Sequence, residues 1–237
     1  MKKLLFILSI FCCILTVSAL DIAVNRKACV QIVVNPKAGK LEKMAAADLK
    51  KFLEECTRAK FQIVPENAVK KSTPGNIYLG STLFAEKNGF PQKDLKDEEW
   101  ILKTVGKDLI ITGAEPIGTF YGVWALLNKI GIYVLSPEQN AVPLKKNLKI
   151  GNLNERKKPA FAGRMLFTDV PIIQTKAGAS EEVKEKLRMF ALRSGINHSE
   201  TLKVKPHYIG QYYAFPKAMG GLLGHTLCRF LRRSLPP

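Results

Sequence analysis

The chain has 237 residues with 37 Lys and Arg against 20 Asp and Glu, a formal net charge of +17. That length suits one large domain or two small ones, and the cysteines beyond the first nineteen residues, Cys29, Cys56 and Cys228, are an odd, sparse set and no disulfide framework. A basic excess permits nucleic acid, anionic polysaccharide or a membrane surface as partner, but no basic run is interleaved with aromatics in the manner of single-strand binders, and no nucleic-acid role is expected.

Lys2 and Lys3 precede an uncharged apolar run, Leu4–Val17, which ends in the small residues Ser18 and Ala19. This is the layout of a cleavable signal peptide, with the cut expected after Ala19. The run is shorter than the roughly 20 residues a spanning helix needs, and no second long apolar run follows, so no transmembrane span is expected after cleavage. The mature protein is expected in the periplasm or outside the cell. Cys29 and Cys56 are expected in the core.

Val30, Ile32 and Val34 mark a strand over 28–34. Asn35-Pro36 reads as a helix start, Asn as cap and Pro in the first turn. Leu41, Met44, Ala45, Leu49, Phe52, Leu53 and Cys56 recur at helical spacing and predict one long amphipathic helix. Short strands follow at 61–64, closed by Pro65, and at 77–79, closed by Gly80. A hairpin is predicted over 97–113 with its turn at Gly106-Lys107, and Asp97, Glu98 and Glu99 before it read as solvated. Phe120, Val123, Trp124, Leu127 and Ile130 predict a second helix, with Gly131 in a left-handed cap. The fold class is α+β (α/β), a mixed sheet with two helices packed on one face. The polar stretch 147–158 reads as a linker. Beyond it, a strand at 161–168, a helix at 181–194 and a further strand from Ile196 follow the order in which a parallel (β/α) barrel begins. The expected domains are 1–19 signal peptide, 20–155 accessory domain and 156–237 barrel start with a basic tail.

The run Gly113-Ala114-Glu115-Pro116-Ile117-Gly118-Thr119-Phe120-Tyr121-Gly122-Val123 resembles a motif in the N-terminal domains of bacterial alpha-glucuronidase-like proteins. Related domains precede the barrel in family-20 beta-hexosaminidases. Gly131-Ile132, Ser136-Pro137-Glu138 and Val142-Pro143 continue the likeness, as do Ala46–Leu49, Ile77–Gly80 and Asp97–Trp100 upstream. One departure is Arg58 after Thr57, where these domains usually have glycine. Pro159-Ala160-Phe161 with Arg164 is similar to the entry to the catalytic barrel, Phe190–Arg193 with Asn197-His198 to the next helix and strand, and Gly224-His225-Thr226 to a later segment of the glucuronidase-like group.

The resemblance implies a secreted glycoside hydrolase acting on polysaccharides. It implies that Arg164 holds sugar hydroxyls, and that Asn197, His198 and His225 line the same pocket. The planar fork of Arg164 also suits a uronate carboxylate, and a structural ion pair is the alternative use of that residue. Asp169 belongs near the carboxyl end of the first barrel strand, the face where barrels carry their sites. Glycoside hydrolysis needs two carboxyl groups about the scissile bond, and in the relatives these lie on later barrel strands. A full barrel takes about 250 residues, more than follow Arg164. The chain therefore reads as truncated, its Cys228–Pro237 tail having the character of out-of-frame sequence, and as inactive alone. A non-catalytic carbohydrate-binding module is the alternative, and a basic binder of polyanions a third. Carbohydrate is the expected partner and no cofactor is implied. The histidines 198, 207 and 225 lack metal-ligand spacing, Gly113–Gly118 lacks the Lys-Ser/Thr of a phosphate loop, and no nucleophile elbow is present.

Overall fold

The computed structural model describes residues 19–69, 74–115, 117–161, 164 and 181–196. It falls into two compact units. The first runs to Lys129 and resumes over Val142–Lys157; the second comprises Ile130–Ala141 and the described residues from Lys158 on.

The first unit is built on a six-stranded sheet in the order β11-β6-β7-β5-β3-β4. Its strands are β3 (Val30–Val34), β4 (Ile63–Pro65), β5 (Gly75–Leu79), β6 (Trp100–Val105), β7 (Asp108–Gly113) and β11 (Asn154–Lys157). The pairs β3–β4, β3–β5 and β5–β7 are parallel, whereas β6–β7 and β6–β11 are antiparallel. The sheet is thus mixed, as the sequence implies. A second sheet joins β1 (Leu20–Val24) to β2 (Lys27–Ala28) and to β10 (Leu148–Ile150).

Two helices cover one face of the large sheet. α1 (Lys40–Thr57) follows β3, and α3 (Gly118–Lys129) follows β7. The Phe52 ring meets Trp124 edge-on at 5.0 Å, and the Trp124 indole N–H donates to Asp48 Oδ2 at 3.1 Å. Phe52, Leu53, Leu49 and Leu127 are fully buried; each such side chain contributes about 1.5–3 kcal/mol. A five-residue helix, α2 (Leu83–Lys87), is capped by Thr82, whose hydroxyl accepts from the Ala85 N–H at 3.3 Å.

Three local expectations are corrected. Asn35 does not cap α1: its Oδ1 accepts from the Lys37 N–H at 2.8 Å, closing a side-chain turn, and the helix begins at Lys40 behind Gly39. Short polar side chains compete with the helix in just this way. The stretch 147–158 is no linker but supplies β10 and β11, each paired in a sheet. The acids before β6 are not simply solvated, since Glu98 is buried and Glu99 takes Arg156 in a two-pronged ion pair at 2.7 and 2.9 Å.

The second unit contains a small hairpin, β8 (Tyr133–Val134) with β9 (Asn140–Ala141), and helix α4 (Glu181–Arg193). The strand expected at 161–168 and the one expected from Ile196 lie mostly outside the described residues. No closed barrel is formed among the described residues.

Candidate functional site

The parallel strands β3, β5 and β7 end together, and the chain around their carboxyl ends is organised by one carboxylate. Glu42 stands in the first turn of α1, where the helix dipole favours negative charge, and is 6% exposed. Its Oε1 accepts from the Ser81 N–H at 2.9 Å and from the Gln92 side-chain amide at 3.1 Å. Its Oε2 accepts from the Ser81 hydroxyl at 3.2 Å and from the Gly39 N–H at 3.4 Å. Neutral donors thus satisfy the buried charge, the condition for keeping one in a core. Gln92 extends the network by donating to the Gly113 carbonyl at 2.8 Å, and the Asn35 side-chain amide donates to the Ser81 carbonyl at 2.5 Å.

Glycine is required around this hub. A Cβ on Gly80, which has φ +75, would lie 2.1 Å from Glu42 Oε1. One on Gly113 would lie 2.2 Å from the Gly118 carbonyl carbon, and one on Gly118 would lie 2.4 Å from the Glu99 carbonyl oxygen. The Gly113–Gly118 motif therefore serves the close approach of β7 to α3.

A crevice of about 470 Å³ opens beside the hub, lined by Ser81, Thr82, Glu86, Gln92, Lys93 and Glu115 among others. Crevices outside the carboxyl ends of strands are the usual ligand position in open α/β sheets. Ser81, Thr82 and Gln92 are engaged in the fold, and Glu86, Lys93 and Glu115 bring charge. The lining can hydrogen-bond a polyol.

Of the site residues expected from sequence, Arg164 is described and belongs to the second unit. Its Nε donates to the Gly195 carbonyl at 2.5 Å and its Nη1 to the Phe161 carbonyl at 2.7 Å. Gly195, at φ +75, closes α4: its N–H donates to Leu192 and the Ile196 N–H to Ala191, at 3.2 and 2.9 Å. This is a Schellman cap, and Arg164 is oriented by docking onto it. Asp169, Asn197, His198 and His225 lie outside the described residues. Sequence reasoning missed Glu42, Ser81 and Gln92. The available signal was a glutamate in register with the buried stripe Ala45, Ala46, Leu49, Phe52 and Leu53.

No protein-family model matches this chain, and no curated protein matches it by sequence. Among solved structures it is similar to a family GH115 4-O-methyl-alpha-glucuronidase with specificity for decorated arabinogalactans, at 17% identity and a TM-score of 0.52, over 71% of this chain and 24% of that one. A mutant Streptomyces plicatus beta-hexosaminidase in complex with GlcNAc matches at 15% identity and a TM-score of 0.39, over 62% of this chain and 24% of that one. The Flavobacterium johnsoniae chitobiase matches at 15% and 0.41, over 76% and 31%. The chain spans a quarter to a third of the length of these structures. The likeness to the first of them is one of fold.

Proposed function

We propose that the chain is the N-terminal portion of an exported glycoside hydrolase acting on polysaccharides, glucuronidase- or hexosaminidase-like, and that the residues present here bind sugar without cleaving it. The observation that carries this reading is the likeness of fold to the alpha-glucuronidase structure, together with the Pro159–Arg164 segment that follows the mixed-sheet domain in sequence. Export rests on the leader; in its favour, Leu20, the residue the expected cut would expose, already pairs with Ile150 as the first residue of β1. The acids after Arg164 are Asp169, Glu181, Glu182, Glu185 and Glu200. Glu181, Glu182 and Glu185 are exposed on α4, so among the described residues after Arg164 no assembled pair supports hydrolysis. Arg164, already oriented by two carbonyls, is the residue proposed to meet a sugar hydroxyl or a uronate carboxylate, with Asp169, Asn197, His198 and His225 beside it.

The test is turnover of aryl glucuronides and aryl N-acetylhexosaminides by the purified mature chain, together with binding of free glucuronate. No turnover and weak binding lost in Arg164→Ala are expected. Hydrolysis that disappears in Asp169→Asn overturns the non-catalytic reading, and glucuronate binding unchanged in Arg164→Ala overturns the role of that residue. An exported protein that retains Met1 by mass spectrometry overturns cleavage.

A further inference from the structure

Two arginines of the first unit occupy backbone conformations that belong to glycine. Asn25 and Arg26, at φ 50 and 62, are the central pair of the two-residue turn between β1 and β2, whose flanking residues Val24 and Lys27 are paired. Positive φ at both places defines the turn that favours Asn-Gly. Arg58, at φ 60 and ψ 11, closes α1 at the left-handed position where glycine is the common choice. In both cases an L side chain is held in a conformation it rarely adopts, and such outliers collect at functional sites.

Both arginines lie at one end of the unit. The Arg26 N–H donates to the Lys146 carbonyl at 3.0 Å, the Lys145 N–H to the Cys56 carbonyl at 2.8 Å, and the Arg58 N–H to the Glu54 carbonyl at 2.8 Å. Backbone bonds thus bring together the β1–β2 turn, the end of α1 and the segment before β10. Arg26, Lys27, Arg58, Lys60 and Lys146 are exposed there, and Lys145 is half-buried. The facing acids are Glu54, 4.0 Å from Lys60 and engaged by the Phe61 N–H at 2.9 Å, and the exposed Glu55. Asp21 is paired with Lys149 at 3.2 Å. The dipole at the end of α1 favours cations nearby, which accounts for charge but not for left-handed arginines. The aromatic next to these cations in sequence, Phe61, is 2% exposed and presents no ring to stack a base, as single-stranded nucleic acid would require. One exposed leucine, Leu144, is far less than the apolar face of a membrane-bound element.

We propose that this end of the first unit is a docking surface for a carboxylated polysaccharide, Arg26 and Arg58 each gripping a uronate carboxylate and Lys27, Lys60, Lys145 and Lys146 adding attraction along the polymer. The planar guanidinium fork matches a carboxylate in geometry. The surface rests on the reading that the protein works on polysaccharide, yet it is separate in sequence from Arg164 and from the crevice. It would hold the polymer, not cleave it.

The experiment measures binding of the mature chain to polygalacturonate, with dextran, single-stranded DNA and phosphatidylserine vesicles alongside, at several salt concentrations. The double variant Arg26→Gly/Arg58→Gly relieves both turns, so lost binding in it is not lost folding. Expected are preference for polygalacturonate over the other three, binding about tenfold or more weaker in the double variant, consistent with the loss of charge-assisted hydrogen bonds, and a shallower salt dependence. Unchanged binding in the double variant overturns the proposal, as does equal or tighter binding to DNA or vesicles. Polymer binding abolished by Arg164→Ala assigns it to the other unit and also overturns it. Glucuronate binding through Arg164 is scored separately, so either reading can fail alone.

Discussion

The two ends of the parallel strands differ in where they depend on glycine. At the carboxyl end, Gly80, Gly113 and Gly118 stand where any Cβ would fall 2.1–2.4 Å from another atom. At the amino end a Cβ on Gly75 would be crowded in the same way, 2.1 Å from the Lys107 carbonyl oxygen, but the left-handed positions 26 and 58 carry arginine. The demand at the carboxyl end is for space: at Gly113 and Gly118 the opposing atoms are main chain, which cannot move without dismantling β7 or α3. The demand at positions 26 and 58 is torsional. A left-handed L-residue costs about 1–2 kcal/mol, which a folded domain can carry. A steric demand therefore leaves the sequence no choice, whereas a torsional demand leaves room for a side chain with another use.

The largest effect expected from this contrast is at Gly113. Gly113→Ala places its Cβ against the Gly118 backbone and is expected to cost about 4–5 kcal/mol, in the range reserved for the severest single changes. Gly118→Ala, against the Glu99 carbonyl, is expected to behave alike. Denaturant unfolding checks both. A loss below about 1 kcal/mol in either, the ordinary size of a point mutation, would show that the two backbones can part and would erase the difference between the ends.

The hub at the same end comes next. Glu42→Ala leaves the Ser81 N–H without its acceptor and removes one of the acceptors of the Gln92 amide, and an orphaned buried donor costs about 1–3 kcal/mol. Thermal and denaturant unfolding of the variant should show a loss of that order. An unchanged midpoint would mean that water replaces the carboxylate, and that the carboxyl end is held by its glycines alone.

A smaller effect concerns pH and lies at the far edge of the sheet. Glu155 on β11 meets Lys129, in the last turn of α3, at 2.7 Å. The hydrogen bond from Lys129, with help from Lys157, holds the Glu155 carboxyl below its usual range against a partial desolvation that acts the other way. A depressed folded value means that the pair stabilises the protein above the unfolded glutamate value, about 4.3, and that this is lost as pH falls through the lower folded value. The pair is partly exposed, so its worth is at most about 1 kcal/mol. In Lys129→Met, the fall in stability between neutral pH and pH 3 should be shallower than in the parent. An identical pH profile would show that the carboxylate gains nothing from the lysine.

Legibility in the sequence follows the same division between local and distant causes. Helix α1, the end of β5 at Gly80, the Gly106-Lys107 turn, α3 and Gly131 were all legible, because spacing and a left-handed glycine are local signals. The mixed sheet with both helices on one face followed from them. Strands β1, β10 and β11 were not: Leu20 pairs with Ile150, and Asn154–Lys157 has no apolar alternation because it is a charged edge strand. The hub was equally hidden. Glu42 finds Ser81 39 positions away and Gln92 50 positions away, and no window of sequence holds all three. Glu99 read as solvated for the same reason, its partner Arg156 lying 57 positions on. At Arg58 the sequence showed a departure from glycine, and only the φ of 60 shows that the glycine conformation was kept.

The smallest expected effect decides what that departure means. Arg58→Gly relieves about 1–2 kcal/mol of left-handed strain and gives back about 0.5–1 kcal/mol because glycine frees the unfolded chain. The net gain is a few tenths to about 1 kcal/mol. Arg26→Gly, at the second central position of the β1–β2 turn, should gain by the same reasoning. The two arginines stand on separate turns, so the double variant should show nearly the sum. Thermal unfolding at low and high salt separates the contributions, since relief of backbone strain is indifferent to ionic strength whereas any exposed pairing with Glu54 or Glu55 is screened. A gain that persists in high salt makes the arginines a feature kept at the expense of stability, as a binding surface requires. A loss of stability in either variant would instead make that guanidinium part of what holds the amino end together, and the contrast between the two ends would become one of strength rather than of use.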